Sequence, residues 1–384
     1  MMSKRMQERF SLSSLAKTLN HQGRRPIVPL MGYPGLQLTK TNIKQNQFNH
    51  IVQFQSLSRL YDRFQPDAMF FMMDLSVEAS ALGLAVRFPL EETPSVEHHP
   101  VKNFQDLEAF RKIDILGDGR VLVFIETLHH MRSAFPGPVG AYVIGPLTLA
   151  GLLIGANELA IKSLIEPDLF RETVEFSYQV VMRYAQALRQ AGADMIMVLE
   201  PTAVIFGPDQ FRQNLTSLYR EMVGIFDDIE IILHVCGDST HLLKVMADTG
   251  IAGLSLDSMV DLKKAAEIVG PQVMLMGNLS PVEMLTANPN EVYIQTRDIL
   301  EKMKILANKE RLLFGQQEVD IRYLGIQKTR NEIELCNRNT QVLADNFETE
   351  HIFRIYIRSP SSKLNEDTKN MIGYFTGAKV LKLR

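Results

Sequence analysis

Eight short runs of apolar, β-prone residues recur along this chain, separated by segments of helical periodicity, and few folds accommodate that alternation. The runs are 26–31 (PIVPLM), 68–74 (AMFFMMD), 139–145 (VGAYVIG), 195–200 (MIMVLE), 231–236 (IILHVC), 251–257 (IAGLSLD), 273–278 (VMLMGN) and 311–315 (RLLFG). Each ends in polar or turn residues, as strands do. Between them, segments such as 167–191 carry an apolar stripe at helical spacing, here through Leu169, Val174, Phe176, Val180, Val181 and Tyr184. Eight strands alternating with helices predict a (β/α)8 TIM barrel. A doubly wound parallel sheet alternates in the same way, but it would carry a glycine-rich dinucleotide fingerprint after its first strand, and residues 31–36 read MGYPGL instead.

The whole chain of 384 residues is expected to form this single barrel domain. Residues 1–25 form a helical amino-terminal extension covering the barrel bottom, and residues 346–384 form an atypical tail. In the tail, HIFRIYIRSP alternates like an extra strand and SSKLNEDTKNMIGYF resembles a loop and helix. A core of this size needs no disulfide to be stable. The two cysteines, Cys236 and Cys336, therefore call for another explanation, and Cys336 in the polar stretch NEIELCNRN is a bystander. No hydrophobic signal core opens the chain, so a reducing cytoplasmic setting is expected. A net charge of -3 gives no pull towards nucleic acid or an anionic membrane surface. The apolar stretch GAYVIGPLTLAGLLIGA is interrupted by Gly and Pro, as a buried strand and loop would be, and does not read as a membrane span.

Active residues of such barrels come from the carboxyl ends of the strands. That rule selects Asp74, Glu200, His234, Cys236, Asp257, Asn278 and the residues after Phe314. His234 and Cys236 stand two positions apart, so a strand presents both on one face. Imidazole and thiolate are the usual protein ligands of zinc, although a buried His and Cys also pack together without a metal. Glu200 and Asp257 fit catalytic roles that position a reacting group, or the plainer role of capping the next helix. Tyr33, flanked by Gly32 and Gly35, either lines a substrate pocket or packs its loop. The His98–His99 and His129–His130 pairs read as solvent-facing.

The segments HVCGD, HLLKVMADTGIAGLSLD and VMLMGNLSP, with DLSVEASALG from Asp74, GPLTLAG from Gly145 and AGADMIMVLEP from Ala191, resemble one superfamily. It contains uroporphyrinogen decarboxylase and the zinc-dependent methylcobamide:thiol methyltransferases, and the similarity runs over residues 26–315. The resemblance implies a (β/α)8 barrel, in agreement with the strand count.

Decarboxylases of the superfamily carry arginines after the first strand, which bind substrate carboxylates, and an Asp after the second that holds the pyrrole N–H groups. This chain keeps Asp74 but has no arginine in MGYPGL. The His-x-Cys-Gly unit resembles the methyltransferase branch, where a second Cys following a Gly at the end of the eighth strand completes the zinc site. Here Gly315 is followed by Gln316, which occupies that place, with Glu318 or Asp320 as an ordinary oxygen ligand close behind. Asn278 matches the family's GN-x-x-P and is expected to shape the substrate floor.

The resemblance therefore implies zinc held by His234, Cys236 and Gln316 or Glu318, and a methylcobamide donor carried by a corrinoid partner protein. The acceptor that the resemblance implies is a small thiol such as coenzyme M or homocysteine, and the sequence is compatible with a homodimer. The alternatives are a uroporphyrinogen decarboxylase-like enzyme built on Asp74 and a barrel that binds ligand without turnover.

Overall fold

The computed structural model describes residues 10–22, 26–280 and 287–304. Its strands are β1 (Met69–Phe70), β2 (Val86–Arg87), β3 (Ser95–Val96), β4 (Val139–Ile144), β5 (Met195–Leu199), β6 (Glu230–Val235), β7 (Gly253–Leu256) and β8 (Met274–Met276). Six of them form one parallel sheet in the order β1-β4-β5-β6-β7-β8, while β2 and β3 make a small antiparallel ribbon between β1 and β4. Strands adjacent in sequence are adjacent in space, joined by helices that return the chain to the same edge. This is the winding of an α/β barrel.

Strands β4 and β5 are apolar along their length because both faces are covered. Every residue of β4 and β5 is buried, one face towards the barrel interior and the other against the helical ring. The longest helix, Pro167–Gln190, lays its predicted stripe of Leu169, Val174, Phe176, Val180, Val181 and Tyr184 into that contact. Each such side chain contributes about 1.5–3 kcal/mol.

The helix Leu12–His21 meets the amino end of β6, where the Leu12 N–H donates to Glu230 Oε1 at 3.1 Å. The segment 139–155 is divided between β4 and the buried helix Pro146–Ile154. No single helix among the described residues is long and apolar enough to cross a membrane.

Two expected strands differ from the structure. Residues 26–31 form no strand and make no ladder, because Pro26 and Pro29 have no N–H to donate. The segment is instead tied to the barrel by Asp67, whose Oδ2 accepts from the Ile27 N–H at 2.7 Å and whose N–H donates to the Ile27 carbonyl at 2.9 Å. Only Met69–Phe70 of the run 68–74 is paired, and beyond it the Met72 N–H turns to the Gln53 side chain at 3.4 Å. The eighth run, 311–315, and the tail 346–384 lie outside the described residues.

Candidate functional site

The candidate site gathers at the carboxyl ends of β5 to β8. His234 is in register with Leu199 on one side and Ser255 on the other, and the Glu200 N–H donates to its carbonyl at 2.8 Å. The side chains of His234 and Cys236 are both buried, and His234 Nε2 lies 3.1 Å from Cys236 Sγ. The other ring nitrogen, Nδ1, is 2.9 Å from Ser255 Oγ. After Cys236 the chain turns sharply at Gly237, whose φ of 81° lies in the left-handed region that a side chain disfavours. Its N–H is held by Asp257 Oδ2 at 3.0 Å.

These two donors have the chemistry of a zinc site: a thiol and an imidazole nitrogen converge, and the second imidazole nitrogen is engaged so that the ring is oriented. Among the described residues no group of three His, Cys, Asp or Glu side chains could hold a metal ion. Gln316 and Glu318, as well as Cys336, lie outside the described residues.

The remaining expected site residues are bound into the protein itself. Glu200 is fully buried at the end of β5, and its carboxylate is used four times. Oε1 accepts from the Thr148 N–H at 2.6 Å and the Thr148 hydroxyl at 2.5 Å, and Oε2 from the Leu147 N–H at 3.1 Å and the Tyr219 hydroxyl at 2.7 Å. A carboxylate offers about four acceptor sites, so none is left for a substrate. Through these contacts Glu200 anchors the amino terminus of helix Pro146–Ile154, whose N–H groups favour a negative charge. Burial pushes its carboxyl up to about 7 against those hydrogen bonds. Burial first, and then the Glu200 charge, push the Tyr219 phenol well above its ordinary value, so it stays a donor.

Asp74 is held in the same way. Its carboxylate forms a buried ion pair with Arg120 and accepts from the Ser76 N–H and hydroxyl, both at 2.7 Å. Arg120 also reaches Ser76 Oγ at 3.2 Å and lies beneath the rings of Phe88 and Phe48, 4.7 and 5.5 Å from their centroids.

The Tyr33 hydroxyl donates to the Met73 carbonyl at 2.6 Å, while Asn278 Nδ2 donates to the carbonyls of Asp257 at 2.9 Å and Val260 at 2.6 Å. Both therefore shape loops at the barrel mouth. Asp257 is a turn brace, since its Oδ1 also accepts from the Met259 N–H at 3.2 Å and Ser258 Oγ at 3.1 Å. His130 Nε2 meets His50 Nδ1 at 3.2 Å instead of facing solvent.

Sequence reading missed Ser255, Arg120, Glu78, Thr148 and Tyr219. Only Ser255 left a signal, sharing a strand face with Asp257 in the same alternation that relates His234 to Cys236.

Glu78, buried next to the Asp74–Arg120 pair, accepts from the Ile144 N–H at 2.8 Å. Burial raises its carboxyl from an ordinary 4.5 to about 7, opposed by that hydrogen bond. The folded chain then holds a proton that the unfolded chain releases between those two values. Stability from this group is full below the lower value and lost as pH rises through the upper one, by at most about 1.4 kcal/mol per pH unit. Denaturant midpoints at pH 5.5 and 8 should therefore fall less for Glu78→Gln, which keeps the acceptor for Ile144, than for the parent chain. Equal falls would show that Glu78 is ionised throughout.

The family model of uroporphyrinogen decarboxylase (URO-D) matches residues 3–313. The chain belongs to that family. Within the URO-D family it resembles methylcobamide:CoM methyltransferase MtbA of Methanosarcina acetivorans, 29% identical over 239 residues, which cover 59% of this chain and 69% of that protein. It also resembles uroporphyrinogen decarboxylase of Paraburkholderia phytofirmans, 26% identical over 261 residues, covering 62% and 69%. A solved methyltransferase from Methanosarcina mazei superposes with a TM-score of 0.69 at 24% identity, covering 82% of this chain and 92% of the other, and so shares the fold. Relatives on both sides of the URO-D family are enzymes, and the similarity is 29% identity to the methyltransferase against 26% to the decarboxylase.

Proposed function

We propose that this chain is a methyltransferase that moves a methyl group from a methylcobamide, carried by a corrinoid partner protein, to a small thiol of the coenzyme M or homocysteine kind in the cytoplasm. The observation that carries the reading is the approach of His234 Nε2 to Cys236 Sγ, 3.1 Å, at the barrel's catalytic end. His234 and Cys236 would hold zinc, with Gln316 or Glu318 as the further ligand. Zinc, when bound there, favours the thiolate form of the acceptor thiol at neutral pH.

In this reading the corrinoid would keep the electron pair of the broken cobalt–carbon bond as the methyl group is transferred. The thiolate sulfur supplies the pair for the new S–C bond, and the thiol proton passes to solvent. The chain's own contribution is to keep both donors buried, fix their separation and exclude water around them.

The decarboxylase alternative is disfavoured because Asp74, the carboxylate it depends on, is paired with Arg120 and Ser76. Metal analysis and methyl transfer from methylcobalamin to thiols test the proposal together. The parent chain should hold stoichiometric zinc and methylate a thiol, and Cys236→Ser and His234→Ala should lose both. Equal zinc in parent and Cys236→Ser sinks the site. Release of carbon dioxide from uroporphyrinogen would favour the decarboxylase reading, and saturable corrinoid binding without turnover would favour a binding barrel.

A further inference from the structure

We propose that Ser255 and Asp257 are positioning residues, one brace for each of the two candidate metal donors. This rests on the reading of His234 and Cys236 as zinc ligands and adds two residues of the neighbouring strand to it. The spacing is matched: His234 and Cys236 stand two apart along β6 and its end, and Ser255 and Asp257 stand two apart along β7 and its end. The two strands are parallel, with His234 directly opposite Ser255. Alternation puts both members of each pair on one face, so a single register sets two contacts.

The first brace acts on the imidazole. Ser255 is buried, and its Oγ lies 2.9 Å from Nδ1. A histidine ring turns easily about its last torsion and can carry its proton on either nitrogen. A hydroxyl fixed by the strand on the Nδ1 side stops the rotation and leaves Nε2 as the nitrogen turned towards Cys236.

The second brace acts on the thiol through the backbone. Asp257 Oδ2 takes the Gly237 N–H at 3.0 Å, the peptide that immediately follows Cys236. Asp257 is itself held at both ends: Ser258 Oγ and the Met259 N–H bind Oδ1, and Asn278 Nδ2 binds its carbonyl. Its carboxylate thus sets the turn that aims Sγ. Freed from Asp257, that turn could open and carry the thiol away from Nε2.

Partners of this kind typically account for about 10- to 100-fold in metal affinity. Cobalt(II) alone is the probe, titrated into the full chain in competition with a chelator, with the thiolate-to-cobalt charge-transfer band and the ligand-field bands recorded. Ser255→Ala should bind cobalt about 10- to 100-fold more weakly with altered ligand-field bands, and Ser255→Thr, which keeps the hydroxyl, should restore most of the affinity. Asp257→Ala should weaken the charge-transfer band, and Asp257→Asn, which keeps a carbonyl acceptor for Gly237, should retain it.

Denaturant midpoints accompany each titration, and if Ser255→Ala does not fold, the two Asp257 variants carry the comparison. Parental affinity and spectra in both alanine variants overturn the braces and leave the donor pair standing. A parent chain that binds cobalt with no charge-transfer band overturns the donor pair and the braces together.

Discussion

Arg120→Leu should cost about 3–5 kcal/mol, because removing one member of a buried ion pair strands the other charge. Both side chains of the pair are buried, 4% and 1% exposed for Arg120 and Asp74. Without the guanidinium, Asp74 keeps only the two Ser76 donors, and Glu78 loses the nearby cation that favours its ionised form. The aromatic roof of Phe48 and Phe88 would then cover an uncompensated carboxylate. A loss of this size is a large part of a domain's total stability, so the variant should unfold at far lower denaturant or be recovered as aggregate. The mechanism is separable from lost packing. In an Asp74→Asn background no charge is stranded, and Arg120→Leu should cost much less there. Equal costs in the two backgrounds would show that Arg120 matters for its shape alone.

Gly145→Ala is expected to cost about 3 kcal/mol or more, which is unusual for a single added methyl group. The backbone at Gly145 has φ -74° and ψ 150°, which any residue adopts, so the effect is not conformational. It is spatial: a Cβ there would overlap Glu200 Cδ and both carboxylate oxygens. The carboxylate would have to leave the amino terminus of helix Pro146–Ile154, abandoning the N–H groups of Leu147 and Thr148 and the Tyr219 hydroxyl. Buried donors left without acceptors cost about 1–3 kcal/mol each. Glu200→Ala should be similarly damaging, and in that background Gly145→Ala should become nearly neutral. Thermal or denaturant unfolding of the four proteins decides the matter, and additive costs would refute the spatial account.

The barrel was legible because burial on both faces forces each parallel strand into a continuous apolar run, and five of the expected runs, from 139–145 to 273–278, contain the cores of β4 to β8. The run 26–31 looked like the others in hydrophobicity, but prolines remove the donors that pairing needs, and Asp67 supplies the connection by a side chain. The site was half legible. His234 and Cys236 announce themselves by residue type and alternation. The acids did not separate into reactive and structural ones, because that distinction lies in partners distant in sequence. Asp74 is satisfied by Arg120, 46 positions away, and Glu200 by Thr148, 52 positions away. No local pattern encodes such meetings, which the winding of the barrel creates.

The contact between Leu12 and Glu230 has a practical consequence for handling this protein. β6 is a six-residue rod, about 20 Å long. Its lower end is pinned by the amino-terminal helix and its upper end carries His234 and leads into Cys236. A fusion or truncation that displaces the leader helix Leu12–His21 would therefore free the foot of the same strand that presents the donors at its head. Preparations differing only in that leader should be compared for metal content before any difference between them is ascribed to the barrel mouth.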